Sequence, residues 1–305
     1  DLFVGTRTLI GDYPAPASGH LLINDGGKFT DATVDLAPEL VETGLITSAV
    51  WTDVDNDGAL DLVVAHDWGA VKIFRNRDNK LVFEPSGTDN ILGWWNAVAS
   101  ADIDNDGDMD LVATNMGTNT QYQASVRSPE LIFYGDLSGT GKKNILEANF
   151  ENGKCYPRRG LSCSSHAMPD LHDRIKSYHD YSIRSVAQIY DFGRLQSSLV
   201  VKANQLRSGA FYNDGTGNFS FTPLPALTQL APGFGVALRD FDLDGYTDCY
   251  LVQNFKNPQI ETGPVMGGMS VMLRGNPDAK GTGDRFILIP PTESGLVVPG
   301  DAKSL

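Results

Sequence analysis

Three stretches of the chain place carboxylates at alternate positions and then turn apolar. They read DVDNDGALDLVV from Asp53, DIDNDGDMDLVA from Asp102 and DFDLDGYTDCYL from Asp240. Each is D-x-D-x-D-G-x-x-D. Carboxylates spaced this way in a tight loop converge on one point, which is the chemistry of a hard divalent cation. Calcium takes about six to eight oxygens, from carboxylates, carbonyls and water. Magnesium fits less well, because it keeps several waters and rarely accepts an all-protein cage. The expected ligands are side chains at positions one, three, five and nine and the carbonyl at seven. In the first loop these are Asp53, Asp55, Asp57, Ala59 by its backbone, and Asp61. The second loop offers Asp102, Asp104, Asp106, Asp108 by its backbone, and Asp110; the third offers Asp240, Asp242, Asp244, Tyr246 by its backbone, and Asp248. Glycine at position six permits the positive φ of a sharp turn.

One isolated D-x-D-G is an ordinary Asx-turn. Three copies with the same ninth aspartate are not so easily dismissed, because four like charges in so short a loop repel unless a cation sits among them. An EF-hand needs a Glu at position twelve and flanking helices. Position twelve here is Val64, Ala113 and Leu251, and strand-like sequence follows. A fourth copy, DLSGTGKKNIL from Asp136, keeps the spacing but has Ser138, Thr140 and Asn144 where acids stood. It is expected to bind metal weakly or not at all. Asp1 of DLFVG has the ninth place of a loop whose start lies outside the sequence.

Such loops must be held by strands. Each is preceded by a small or apolar run, SAVWT, NAVASA or GVALR. Between the loops lie LLINDGGKFTD, KIFRNRDNKLVFE and GAFYNDGTGNFSF, which read as hairpins around Asn/Asp/Gly turns. The unit is strand, acidic loop, strand, connection, strand, hairpin turn, strand. Four antiparallel strands per repeat make a propeller blade. The expected fold is therefore all-β: residues 1–305 as a β-propeller segment of about five blades or part-blades, belonging to a larger propeller.

The bulk composition agrees. The chain has 305 residues, 41% hydrophobic and 20% charged, with 32 glycines, as a turn-rich β protein should have. Its net charge of −14 argues against nucleic acid and anionic membrane surfaces as partners. No apolar run is long enough for a membrane span. Three bound divalent ions would reduce the net charge from −14 to −8.

The D-x-D-x-D-G-x-x-D-L loop between strands resembles the FG-GAP/VCBS repeat. GWWNAVASADIDNDGDMDLVATNMGTN and YPRRGLSCSSHAMP further resemble bacterial relatives of cartilage acidic protein 1, the ASPIC/UnbV group. The resemblance implies an exported, calcium-binding propeller with no catalytic residues to carry over. It places the chain outside the cell, on its surface or in the periplasm.

Residues 153–193 break the β pattern and are expected to form a mainly helical insertion. Leu171, Ile175 and Tyr178 have helical spacing, then Ile183, Val186 and Ile189 or Tyr190, with Asp180 as an N-cap. Cys155 and Cys163 share a loop in which they either pair or stay thiols, while Cys249 reads as a small core residue. His166, His172 and His179 match no standard zinc spacing and read as surface residues. Arg158 and Arg159 either bind an acidic ligand or anchor the segment to the protein's own acids. Of Trp94 and Trp95, adjacent and so on opposite faces of a strand, one is expected in the core and the other as a possible ligand platform.

No motif of a known catalytic class occurs. The leading expectation is a non-enzymatic calcium-binding scaffold that presents loops to a protein or glycan. Two alternatives stand beside it. One is a structural subunit of a larger surface assembly. The other is a carbohydrate-active lyase or dehydratase using His166, Arg158, Arg159 and Tyr156.

Overall fold

The computed structural model describes residues 1–259 and 262–305. Among the described residues the chain is mostly β, arranged as five antiparallel sheets. Strands β1 (Leu2–Gly5), β2 (Gly19–Asp25) and β3 (Lys28–Asp31) form the first sheet, in that order. The second is β4 (Leu45–Thr52), β5 (Asp61–Asp67), β6 (Lys72–Arg77) and β7 (Lys80–Phe83), again in chain order. A third sheet begins with β8 (Ala97–Ala101) and β9 (Asp110–Thr114). The chain then leaves it to build a separate sheet from β10 (Glu130–Gly135), β11 (Asn144–Glu151), β12 (Lys154–Pro157) and β13 (Leu199–Ala203), ordered β12-β11-β10-β13. Only afterwards do β14 (Gly209–Asn213) and β15 (Phe219–Pro223) return to complete β8-β9-β14-β15. The last sheet is β16 (Gly233–Arg239), β17 (Asp248–Gln253), β18 (Val271–Gly275) and β19 (Phe286–Ile289), in chain order.

Alternation along the central strands explains how these sheets pack. Leu62 and Val64 of β5 face one way, into a cluster with Leu21, Leu40 and Phe74. Val63 and Ala65 face the other, against Ile73, Trp95, Leu111 and Phe211. All four β5 residues are fully buried, because both faces of the sheet are covered. In β9, Leu111 and Ala113 share that second cluster, while Val112 joins Tyr212, Leu251 and Leu273. The first, second, third and last sheets therefore stack face to face in series. Side-chain bonds tie their ends together. Thr47 Oγ1 donates to the Trp95 carbonyl at 2.8 Å, and Asn96 Nδ2 donates to the Gly233 carbonyl at 2.9 Å.

The inserted sheet has its own core, in which Leu131, Leu146 and Ala148 pack on helical residues such as Leu171, Val186 and Ile189. The helical stretch expected over 153–193 is five short helices between Leu161 and Ser197, preceded by β12. Leu171, Ile175, Val186 and Ile189 are buried as their spacing required, but Tyr178 and Ile183 are exposed and Tyr181 is buried instead. The reason is a break. The helix Leu171–Arg174 ends with Ile175 extended, so the period restarts. Ser177, not Asp180, then caps Tyr178–Ser182 by accepting the Asp180 N–H, and Asp180 pairs with Arg184 at 2.8 Å. Cys155, Cys163 and Cys249 are all free thiols, and Cys249 is fully buried. No described helix is long and apolar enough to cross a membrane.

Candidate metal centres

The three acidic loops join β4 to β5, β8 to β9 and β16 to β17, at the same end of their sheets. Their backbones share one conformation. Position six has positive φ in every copy, at Gly58 (88°), Gly107 (97°) and Gly245 (92°). Position four does too, at Asn56 (56°), Asn105 (59°) and Leu243 (63°). The first carboxylate caps the turn: Asp53, Asp102 and Asp240 each accept the N–H of the position-six glycine, at 2.9, 3.0 and 2.9 Å. The fifth accepts the N–H of position seven, so Ala59, Asp108 and Tyr246 are tied in through their amides. Chain-local Asx bonds thus fold each loop before any ion is considered.

The ninth aspartate has a different role. Asp61, Asp110 and Asp248 are at most 1% exposed. In each, Oδ2 accepts the N–H of loop position two, from Val54, Ile103 or Phe241, at 2.8–3.0 Å. Its Oδ1 accepts an N–H from the third strand of the sheet, from Asn76, Asn213 or Gly275, at 2.7–2.8 Å. The carboxylate bolts the loop to the point where the hairpin turn begins. Asp1 makes the matching bond to the Asn24 N–H at 2.9 Å, as its place in the pattern requires.

Oxygens converge in three groups: Asp53, Asp55 and Asp57; Asp102, Asp104 and Asp110; Asp240, Asp242 and Asp248. Within each group, one oxygen per residue lies within 4.8 Å of the others. Asp55 Oδ1, Asp102 Oδ1 and Asp104 Oδ1 are buried with no hydrogen-bond partner. A buried anionic oxygen without a donor is costly, and a cation between the carboxylates supplies what these lack. The donor set is all oxygen, which suits calcium. Among the described residues no such group contains a histidine, and His166, His172 and His179 are exposed.

Electrostatics differ between the loops. Burial, and then the charges of Asp104 and Asp106, push Asp110 up to about 7 despite its two backbone donors. Burial likewise raises Asp61, and it raises Asp104 and Asp242 together with their acidic neighbours. Asp55 goes the other way: burial would raise it, but Arg77 and Arg75 outweigh that. Both arginines reach it at 2.9 Å, and Arg77 also reaches Asp57 at 3.2 Å. Arg285 approaches Asp104 at 3.4 Å. Among the described residues no ion pair reaches Asp240, Asp242 or Asp244. These arginines were missed in the sequence. Arg75 and Arg77 stand out only as charges within a strand, and Arg285 is 181 residues from its partner.

The loops are also joined to one another. Asn56 Nδ2 donates to Asp108 Oδ1, and Asn105 Nδ2 to the Gly245 carbonyl at 3.1 Å. Leu243 takes the same left-handed place, is 85% exposed and offers no such bond. A left-handed backbone strains any residue with a branched, non-hydrogen-bonding side chain. Leu243→Asn is expected to raise stability by about 1 kcal/mol, or about 2 °C in a thermal melt.

The loop at Asp136 keeps the turn but not the charge. Asp136 accepts the N–H groups of Gly139, Thr140 and Gly141, while Ser138 Oγ bonds to Thr140 and Asn144. It lies between β10 and β11 of the inserted sheet and forms no acidic group.

Residues 53–113 match the FG-GAP-like repeat. The repeat runs from the first acidic loop through β5 to β8 and the second loop into β9, so one sequence unit bridges two sheets. No curated protein sequence matches the chain. Among solved structures, the chain is similar to the V. cholerae biofilm matrix protein Bap1, at 11% identity and a TM-score of 0.24, over 92% of this chain and 70% of that one. A likeness that weak carries no argument about fold or role.

The other singled-out residues are anchored or dispersed. Arg158 pairs with buried Glu130 and lies 4.5 Å from the Tyr122 ring centre; Arg159 pairs with Glu147 at 2.9 Å. Tyr156, Arg158 and Arg159 line one pocket of about 450 Å³, but His166 is not among its walls. Trp94 and Trp95 precede β8 rather than lying on it. Trp95 is core, against Phe211 and Phe221, while Trp94 packs edge-to-face on Trp68 and Tyr122, each with centroids 4.8 Å apart.

Proposed function

We propose that the chain is a calcium-binding, non-enzymatic segment of a β-propeller that works outside the cell, with the face remote from the acidic loops recognising a protein or glycan. One observation carries the reading. Three loops of one backbone conformation gather carboxylate oxygens, and in the first two of them Asp55, Asp102 and Asp104 each carry a buried oxygen that the protein itself leaves without a donor. The serial stacking of sheets and the repeat over 53–113 support a propeller, and the reading extends to the finer likeness to the ASPIC/UnbV group. Extracellular calcium is abundant enough to fill sites of modest affinity. Asp55, Asp104 and Asp242 would hold the ion together with the first aspartates, and the ion would supply the positive charge that lets the loops remain ionised. Of the four candidates for an enzymatic reading, Arg158 and Arg159 are paired with Glu130 and Glu147.

The test is a thermal melt in calcium and in a chelator. An ion that binds only the folded state at a hundred times its Kd stabilises by about 2.7 kcal/mol per site. Several sites together are expected to raise Tm by about 10 °C or more. Equal melting temperatures in calcium and EDTA would refute the reading.

A further inference from the structure

We propose that the aromatic pocket at the ends of the sheets remote from the acidic loops is a saccharide site that takes one sugar ring. This rests on the reading of that face as the recognition face. Trp68 follows β5, Trp94 precedes β8, and Phe234 and Phe255 stand at the start of β16 and just after β17. Three sheets thus deliver aromatic rings to one place. Tyr122 and Glu147 close it from the inserted segment, so the pocket lies between the scaffold and its insertion, where ligand sites tend to form. Its volume is about 260 Å³. That is near the lower bound of ligand pockets, about 300 Å³, which suits one ring rather than a chain.

The polar groups favour a sugar over a cation. Arg7 and Asp67 line the pocket as a pair 3.4 Å apart, Arg7 largely exposed. An adjacent donor and acceptor match a vicinal diol, one hydroxyl donating to the carboxylate and its neighbour accepting from the guanidinium. A cationic ligand would find its places taken. Asp67 and Glu147 already have arginine partners. The ring faces that attract cations hold the chain's own: Lys303 is 3.4 Å from the Phe234 ring centre and 4.5 Å from that of Phe255, and Arg158 lies on Tyr122. What the pocket still offers is part-exposed ring surface and paired hydrogen-bonding groups, which together suit a ring with one apolar face and equatorial hydroxyls.

The test follows the four tryptophan indole N–H signals by NMR while methyl glycosides of glucose, galactose, mannose and N-acetylglucosamine are added in calcium. At least one glycoside is expected to shift Trp68 and Trp94 but not Trp51, which lies on β4 beside the first acidic loop. A monosaccharide contact of this kind corresponds to a Kd of about 1 mM. Trp68→Ala and Asp67→Asn are each expected to weaken that binding about tenfold, and Lys80→Ala, at an exposed position at the start of β7, to leave it unchanged. Asp67→Asn keeps the test valid if Trp68→Ala fails to fold. No shift with any of the glycosides, or a shift with tetramethylammonium alone, would overturn the proposal. A calcium-dependent melt with no sugar shift would sink the pocket inference and leave the scaffold standing. The absence of both would remove the scaffold reading as well.

Discussion

Asp110→Ala is expected to destabilise the protein by about 4 kcal/mol even in chelator. The reason is that Asp110 is structural before it is a ligand. Its two oxygens accept the N–H groups of Ile103 and Asn213, at 3.0 and 2.8 Å, and the residue is 1% exposed. Alanine leaves both donors buried and unpaired, at about 1–3 kcal/mol each. Asn213 also donates to the carbonyls of Val54 and Met109, so loosening it disturbs the first loop as well as the second. Asp106→Asn is the matched control. Asp106 is exposed and accepts the Asp108 N–H at 3.0 Å. That change is expected to cost under about 1 kcal/mol in chelator and to reduce the calcium-dependent gain of the second loop, whose converging oxygens come from Asp102, Asp104 and Asp110. Denaturant unfolding of both variants, with and without calcium, separates the two roles. Equal losses in the two variants would contradict the division of labour between position nine and position five.

The second large effect is on pH dependence. Asp110 is pushed up to about 7, against an ordinary value of about 3.9 in the unfolded chain. Between those limits the folded protein holds the proton more tightly than the unfolded one. Without calcium, this group's contribution to stability is therefore greatest at low pH and is lost as pH rises through the window from about 4 to 7. Asp61, Asp104 and Asp242 shift in the same direction. Calcium needs the ionised carboxylates, so the gain from calcium should grow across that window. His66 opposes this in the raw melting curve. It is buried and lowered to about 4, so its contribution is lost as pH falls from about 6.5 toward 4. It lies at the far end of β5 and affects both conditions alike. The difference in Tm between calcium and chelator cancels it. That difference is expected to fall by more than half between pH 7.5 and pH 5. A constant difference would mean that protons and calcium do not compete for these oxygens.

How far the sequence foretold this can be traced residue by residue. The acidic loops were legible because everything that shapes them is local. Asp53 and Gly58, or Asp240 and Gly245, bond across five residues. The hairpins were legible for the same reason. The break in the third sheet was not, because what is inserted after β9 opens with its own strand, degenerate loop and strand from Glu130 to Glu151, which imitates the next repeat. Only long-range pairing shows that Gly209 to Phe211 of β14 lie beside Leu111 to Ala113 of β9. The pairing of Arg75 and Arg77 with Asp55 was equally out of reach, since it depends on how a neighbouring strand sits over the loop. The tryptophan pair was misplaced because β-like sequence begins at Gly93, while the ladder starts only at Ala97. Trp94 and Trp95 still diverge, into two different clusters, and so the contrast expected of them survives without the strand.

The most direct measurement is the number of calcium ions bound per chain, by isothermal titration on chelator-treated protein. Three ions are expected, falling to two when Asp242 and Asp244 are both changed to Asn, with the wild-type fold retained. A chain that takes up no calcium, or one whose uptake is unaffected by that double change, would show that the converging carboxylates are Asx-turns and nothing more.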